Sequence, residues 1–249
     1  MTVFLSDKRN IVILLLGTLF LIKIPQENSR FIFWVFGGVL LASFYDLFIT
    51  AMLKKRWIVP KSAVISGFIL SGVLDYYQPW FVLVIFSLLP ILSKYVLVFK
   101  NKHIFNPANF SLAVATLFKI PLTWSIESNA CLIIIVGLYI AYSLRKMPHL
   151  IGFFVFFIGL FLTQTTNPFS LVSWFFVFIM LIEPKTSGFG WRRGLAFGSV
   201  AGISSFLIFK FISGYDFLVC ALLVANLFNP VLEKIKNPAE GKRYLPREQ

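Results

Sequence analysis

Charge and cysteine are what this sequence has least of. Only 13% of its 249 residues are Asp, Glu, Lys or Arg, about half the share in a soluble domain. That scarcity excludes a disordered chain, which depends on polar residues to stay solvated. Two cysteines, Cys131 and Cys220, exclude a disulfide-stapled fold. Both lie inside apolar runs and read as buried small hydrophobes. The two histidines, His103 and His149, have no Cys or carboxylate at ligand spacing, so no metal site is expected. Acidic residues are the rarer charge, 10 against 23 basic ones, for a net charge of +13.

Apolar residues fill the space. They make up 58% of the chain, with 30 Phe among them, and the mean hydropathy is +0.84. One soluble core of this size cannot hide so much apolar surface. The solvent this sequence suits is a lipid bilayer. Its cations stand in short clusters between apolar runs, the pattern of a multi-span protein orienting itself, so nucleic acid is not an expected partner.

Ten apolar cores are legible: Ile11–Ile24, Phe31–Met52, Ser62–Tyr76, Trp80–Leu97, Asn106–Phe118, Ala130–Ser143, Leu150–Thr163, Leu171–Ile182, Gly194–Ile212 and Phe217–Val231. Within hydrocarbon every backbone polar group must be satisfied internally, and runs such as FFVFFIGLFL do not alternate as barrel strands would. The fold class is therefore all-α, a polytopic membrane protein of about ten helices in one bundle. Several cores are shorter than the roughly 17–25 residues a spanning helix needs, so some helices are expected to be short or broken. Ile11–Ile24 has no small-residue cleavage site behind it and reads as a span, not a signal peptide. If the count is ten, both termini share one side with Lys8, Arg9, Lys54, Lys55, Arg56, Lys61, Lys94, Lys100, Lys102, Arg145, Lys146, Lys185, Arg192, Arg193 and five cations of the tail. Only Lys23, Arg30, Lys119 and Lys210 fall on the other side. Nineteen cations against four places both termini in the cytoplasm, with 233–249 as a cytoplasmic tail. The chain reads as one integral membrane domain, 1–249. A faint internal echo, Pro60-Lys61-Ser62 with Pro184-Lys185-Thr186 and Ile104–Pro107 with Leu227–Pro230, suggests halves of about 1–124 and 125–249.

Polar residues inside such a chain need a reason. Asp46 stands amid Phe, Tyr and Leu; it is expected either to pair with a cation near a helix end or to serve ion or proton passage. In KNKHIFNPANFSLAV, Pro107 suits a first helical turn and Asn106 the N-cap before it, with Asn109 and Ser111 a turn further on. Such an end suits an anion or a carbonyl-rich ligand, although capping alone also explains Asn106. Glu183-Pro184 stops a helix, Thr186 and Ser187 follow in the turn, and Trp191-Arg192-Arg193 anchor at the interface. Gly194, Gly198 and Gly202 form one smooth face for close helix packing. Thr163 to Ser173 is an uncharged outer loop, and Asn226 and Asn229 lie near one face of the last core.

These pieces, in this order, resemble the RnfD/NqrB-like family, whose members are membrane components of the Rnf electron-transport complex and of the sodium-pumping NADH:quinone oxidoreductase. The resemblance runs from about residue 31 to 245. It rests on the basic helix end from Ala42 to Arg56, Gln78-Pro79-Trp80, Phe105-Asn106-Pro107-Ala108, Ile182-Glu183-Pro184, Gly214-Tyr215-Asp216 and Leu223-Val224-Ala225-Asn226. It implies a ten-helix bundle in a bacterial inner membrane, a bound flavin (FMN or riboflavin), and other electron-transport proteins beside it. Some family members carry FMN esterified to a Thr in Ser-Gly-Ala-Thr. That motif falls on Ser170-Leu171-Val172-Ser173, where larger residues replace Gly-Ala, so a flavin is expected to be non-covalent. The resemblance assigns flavin contacts to Asn106, Pro107, Asn109, Ser170, Ser173, Glu183, Thr186 and Asn226. A short outer loop and the lost glycines before Asn106 fit a trimmed, stand-alone type of member. No residue looks like a general base or nucleophile, so chemistry would be the flavin's own. A carrier or channel for a small solute, such as a flavin, is the second reading, and a scaffold for partner proteins the third.

Overall fold

In the computed structural model, residues 7–55, 57–99, 102–183, 186 and 190–232 are described. Pro184, Lys185, Ser187, Lys100, Arg56 and the tail 233–249, which carried parts of the loop, repeat and orientation readings, lie outside them. The described chain is helical nearly throughout: α1 (Lys8–Lys23), α2 (Ser29–Lys54), α3 (Lys61–Val73), α4 (Trp80–Val96), α5 (Pro107–Leu117), α6 (Ala130–Ser143), α7 (Met147–Phe161), α8 (Trp191–Phe211) and α9 (Phe217–Leu232). Three stretches, Lys8–Gln26, Ser29–Leu53 and Trp191–Phe211, are long and apolar enough to cross a membrane, and the other six helices are shorter apolar ones. This is a membrane helical protein. Lipid is its outer solvent: Phe33, Phe36, Leu40, Phe44 and Phe48 form an exposed stripe down α2 at helical spacing. Cys131 is exposed on α6, contrary to the buried reading; a small apolar side chain is equally at home against lipid.

The eighth core differs from expectation. Leu171–Ile182 is not one α-helix; a 3-10 turn, Pro168–Leu171, precedes a π-helical segment, Phe176–Met180, all five of whose residues are buried. A two-stranded ribbon pairs Val98 with His103 and Phe99 with Lys102 where the sequence suggested only a loop.

Local chemistry sets the helix ends. Asn28, Asn106 and Asn129 cap α2, α5 and α6 by accepting the N–H of Phe31, Asn109 and Leu132. Gly190, at φ 101, takes a conformation open to glycine and opens α8. Pro90 lies inside α4. It has no N–H for the Phe86 carbonyl, and the Ser111 hydroxyl of α5 donates to that carbonyl instead, at 2.8 Å. The glycine face packs as read: α8 lies so close on α7 that a Cβ on Gly198 would strike the His149 carbonyl oxygen, and one on Gly202 would come within 2.8 Å of the Phe153 oxygen.

The helices alternate between two ends. At one end meet the N-termini of α1, α3 and α5, the C-termini of α4 and α6, and the residues after the π segment. At the other, Arg30 donates to the carbonyls of Tyr76, Tyr77 and Gln78, and Lys119 sits over Tyr215 and donates to the Gly214 carbonyl. There α3 ends at Val73 and α5 at Leu117, and the chain beyond them joins through a bridge between Leu74 and Leu122.

Candidate functional site

The convergence of helix ends encloses a cavity of about 400 Å³. Its apolar lining includes Ile65, Ile69, Ile140, Phe178 and Ile179, and its polar lining includes Asp7, Lys8, Arg9, Ser62, Lys94, His103, Asn106 and Glu183. The volume lies in the usual range of small-molecule sites.

Each polar group is held by a traceable device. Asp7 caps α1 through the Arg9 N–H, accepts the Arg9 guanidinium at 2.9 Å, and accepts Lys61 Nζ at 3.0 Å, tying α1 to α3. The Arg9 and Lys61 hydrogen bonds hold its carboxyl far below the usual carboxylate range. On the far wall Lys8 donates to the Tyr139 hydroxyl of α6. Lys94, in the last turn of α4, is 9% exposed and lies 3.5 Å from Asp46 of α2. It also donates to Ser62 Oγ of α3 at 3.0 Å. Asp46 is thus joined to a cation near a helix end, the first of the two roles the sequence allows. Lys146, in the turn between α6 and α7, is fully buried. Burial lowers its pKa to about 7, opposed in part by the charge of Glu183.

The expected site residues do not all converge. Asn106 and Pro107 line the cavity, and Asn106 Nδ2 donates to the Met180 carbonyl at 3.3 Å, where the π segment leaves the ordinary helical pattern. Glu183 lines the cavity too and accepts the Thr186 hydroxyl at 3.1 Å; the Thr186 carbonyl in turn accepts Asn229 Nδ2 at 2.7 Å. Asn109 is fully buried behind Asn106, donating to the Val219 carbonyl of α9 at 3.0 Å, while its Oδ1 has no hydrogen-bond partner among the described residues. Asn226 is fully buried on α9, and neither of its amide atoms has a partner among the described residues. Ser170 and Ser173 lie elsewhere. Ten residues of largely helical chain, on the order of 15 Å, separate Ser173 from Glu183. Ser170 Oγ donates to the Asn167 carbonyl. Ser173 Oγ donates to Glu127 at 2.7 Å and accepts the Phe176 N–H, capping the segment that follows.

Sequence reasoning missed Ser62, Lys94 and His103 as site residues. Lys94 was visible only as an orientation charge, and nothing in its spacing pointed to a cavity. Among the described residues no group of three His, Cys or carboxylate side chains is placed to hold a metal ion. No known protein family matches the chain, and no curated protein does.

Proposed function

We propose that this protein is a flavin-associated integral membrane component of an electron-transport system of the Rnf and sodium-pumping NADH:quinone oxidoreductase kind. In this reading ten helical segments sit in a bacterial inner membrane, both termini are cytoplasmic, and electrons pass through the chain beside partner proteins. The observation that carries the reading is the cavity where Asn106-Pro107 and Glu183 meet. An isoalloxazine ring needs apolar walls with polar groups at its edge, and the cavity's lining holds several Ile and Phe178 together with Asn106 and Ser62. The side chains would bind and orient the flavin non-covalently; the flavin, when bound, supplies the electron transfer. Ser173 is committed to Glu127 and to a helix cap, which favours a non-covalent flavin over an ester there.

One observation favours a second reading, a carrier or channel for a small solute such as a flavin. The helices α3 and α5 are short, the chain after them is joined by a bridge between Leu74 and Leu122, and the Asp46–Lys94 pair lies beside the cavity. Short helices and a buried ion pair are recurrent parts of transport sites.

The test is the absorbance of the purified protein between about 350 and 550 nm, with in-gel fluorescence after denaturation. Flavin bands that disappear from the denatured band and bleach with dithionite are expected. A colourless protein from flavin-replete cells would overturn the electron-transfer reading and leave uptake into liposomes as the assay for the second.

A further inference from the structure

The loop that joins α2 to α3 has a surface the cavity does not use: no described residue from Lys55 to Lys61 lines it. Trp57, Ile58 and Val59 follow one another there at 82%, 52% and 73% exposure, and Trp57 is the most exposed large apolar side chain among the described residues. Three consecutive apolar residues left in water forgo the burial that favours such groups. The loop is fixed at both ends. Lys55, at φ 50, closes α2 in the left-handed region, with its N–H on the Ala51 carbonyl. At the far end the Lys61 N–H donates to the Val59 carbonyl at 2.9 Å, and Lys61 Nζ is paired with Asp7 at 3.0 Å.

The length of α2 sets the depth of this loop. Arg30, in its first turn, donates to the carbonyls of Tyr76, Tyr77 and Gln78 and marks the opposite face of the bundle. From Arg30 to Lys54 the helix rises about 36 Å, or about 34 Å across the membrane at an average tilt of about 20°. The hydrocarbon layer is about 30 Å thick. Lys54 therefore stands just outside the hydrocarbon, and the loop beyond it lies at headgroup level, where tryptophan concentrates. Charge follows the same line. Lys54, Lys55 and Arg56 come directly before Trp57, and neither Asp nor Glu occurs from Leu47 to Leu74. Asp7, the carboxylate brought to the end of the loop, is engaged by Lys61 and Arg9.

We infer that the loop between α2 and α3 recognises anionic phospholipid: Trp57, Ile58 and Val59 enter the headgroup layer, and Lys54, Lys55 and Arg56 attract lipids of net negative charge. A zwitterionic lipid offers the same apolar layer without that charge, so the cations make the difference. Each basic residue beside an anionic membrane surface strengthens the attraction by about fivefold, and salt screens it. The inference does not depend on what fills the cavity.

The experiment reconstitutes the full chain in phosphatidylcholine vesicles that carry a small share of nitroxide-labelled lipid, either phosphatidylglycerol or phosphatidylcholine, with the label near the headgroup. Tryptophan fluorescence is recorded for the wild type and for Trp57→Phe, and the difference reports Trp57. Labelled phosphatidylglycerol is expected to quench Trp57 with an apparent affinity at least about threefold above that of labelled phosphatidylcholine. The preference should fall to near equality in Lys54→Gln/Lys55→Gln/Arg56→Gln and, for the wild type, in about 1 M salt. The salt measurement keeps the test decisive if the triple variant misfolds. Equal quenching by the two lipids overturns the inference, as does a preference that survives both changes. Quenching of Trp57 by free acrylamide and by neither lipid would place the loop in water and overturn it. Protection from acrylamide and from both lipids would show a protein cover, a second copy or another chain, and would overturn it too.

Discussion

Asp46 of α2 and Lys94 of α4 face each other at 3.5 Å inside the helical bundle, and Ser62 of α3 takes a 3.0 Å bond from the same ammonium. Three helices are thereby fixed around one charge. Removing one partner of a buried pair leaves the other charge uncompensated, which typically costs about 3–5 kcal/mol. Lys94→Met is expected to destabilise the protein in that range. Asp46→Leu/Lys94→Met together should recover most of the loss, because an apolar pair of similar size carries no desolvation cost. Thermal unfolding in detergent reads both. A double variant as unstable as the single one would show that the pair is not the source of the effect.

Asn226 is the least explained group in the bundle, a fully buried amide with no partner at either atom among the described residues. A buried unsatisfied polar group costs about 1–3 kcal/mol. Asn226→Leu is expected to leave stability unchanged or raise it by about that amount, and at the same time to lower flavin retention. Raised stability with undiminished flavin would remove Asn226 from the cofactor contacts. Lost stability would show that the amide has an internal partner.

The turn between α6 and α7 makes a pH prediction. Burial depresses the pKa of Lys146 to about 7, against about 10.4 for an exposed lysine. Between those values the unfolded chain binds more protons than the folded one, so stability rises with pH. Below pH 7 both states are protonated and the contribution is flat. The slope reaches about 1.4 kcal/mol per pH unit for one group. Tm measured from pH 7 to 9.5 should climb in the wild type, and the climb should vanish in Lys146→Met. Two other perturbed groups act outside this window: Asp7 in strong acid, and Tyr76, raised by its hydrogen bond to Glu27, only above pH 10.

Helix ends were the most legible part of this fold, because they carry their own chemistry. Ala130–Ser143 begins after the cap Asn129 and has the same bounds in sequence and structure, and Asn106-Pro107 opens α5 as its residue types require. The π segment was not legible, since an apolar run from Leu171 to Ile182 has no polar marks to report a change of helical register. The ribbon of Val98–Phe99 with Lys102–His103 was hidden for a related reason: two-residue strands are too short to show a period. The site was half legible. Asn106, Pro107 and Glu183 stood out as polar helix ends, but Lys94 and Ser62, 32 residues apart, are brought together only by the packing of α3 against α4. The echo of Ile104–Pro107 in Leu227–Pro230 reads differently in space, the first opening α5 and the second lying in the final turns of α9.

Pro90 and Ser111 carry the last prediction. Proline within α4 deprives the Phe86 carbonyl of its helical donor, and Ser111 Oγ of α5 fills the gap at 2.8 Å. Ser111→Ala alone should therefore orphan a buried carbonyl and cost about 1–3 kcal/mol. In a Pro90→Ala background the restored N–H can bond Phe86 itself, and the same Ser111→Ala change should cost only a few tenths of that. The two effects are coupled through a single oxygen, so a double-mutant cycle on thermal unfolding is the measurement. A coupling energy near zero would mean that the hydroxyl does not replace the missing helical bond. A clear positive coupling would show that α5 is fastened to α4 at its proline, which holds the Asn106 end of α5 in place at the cavity.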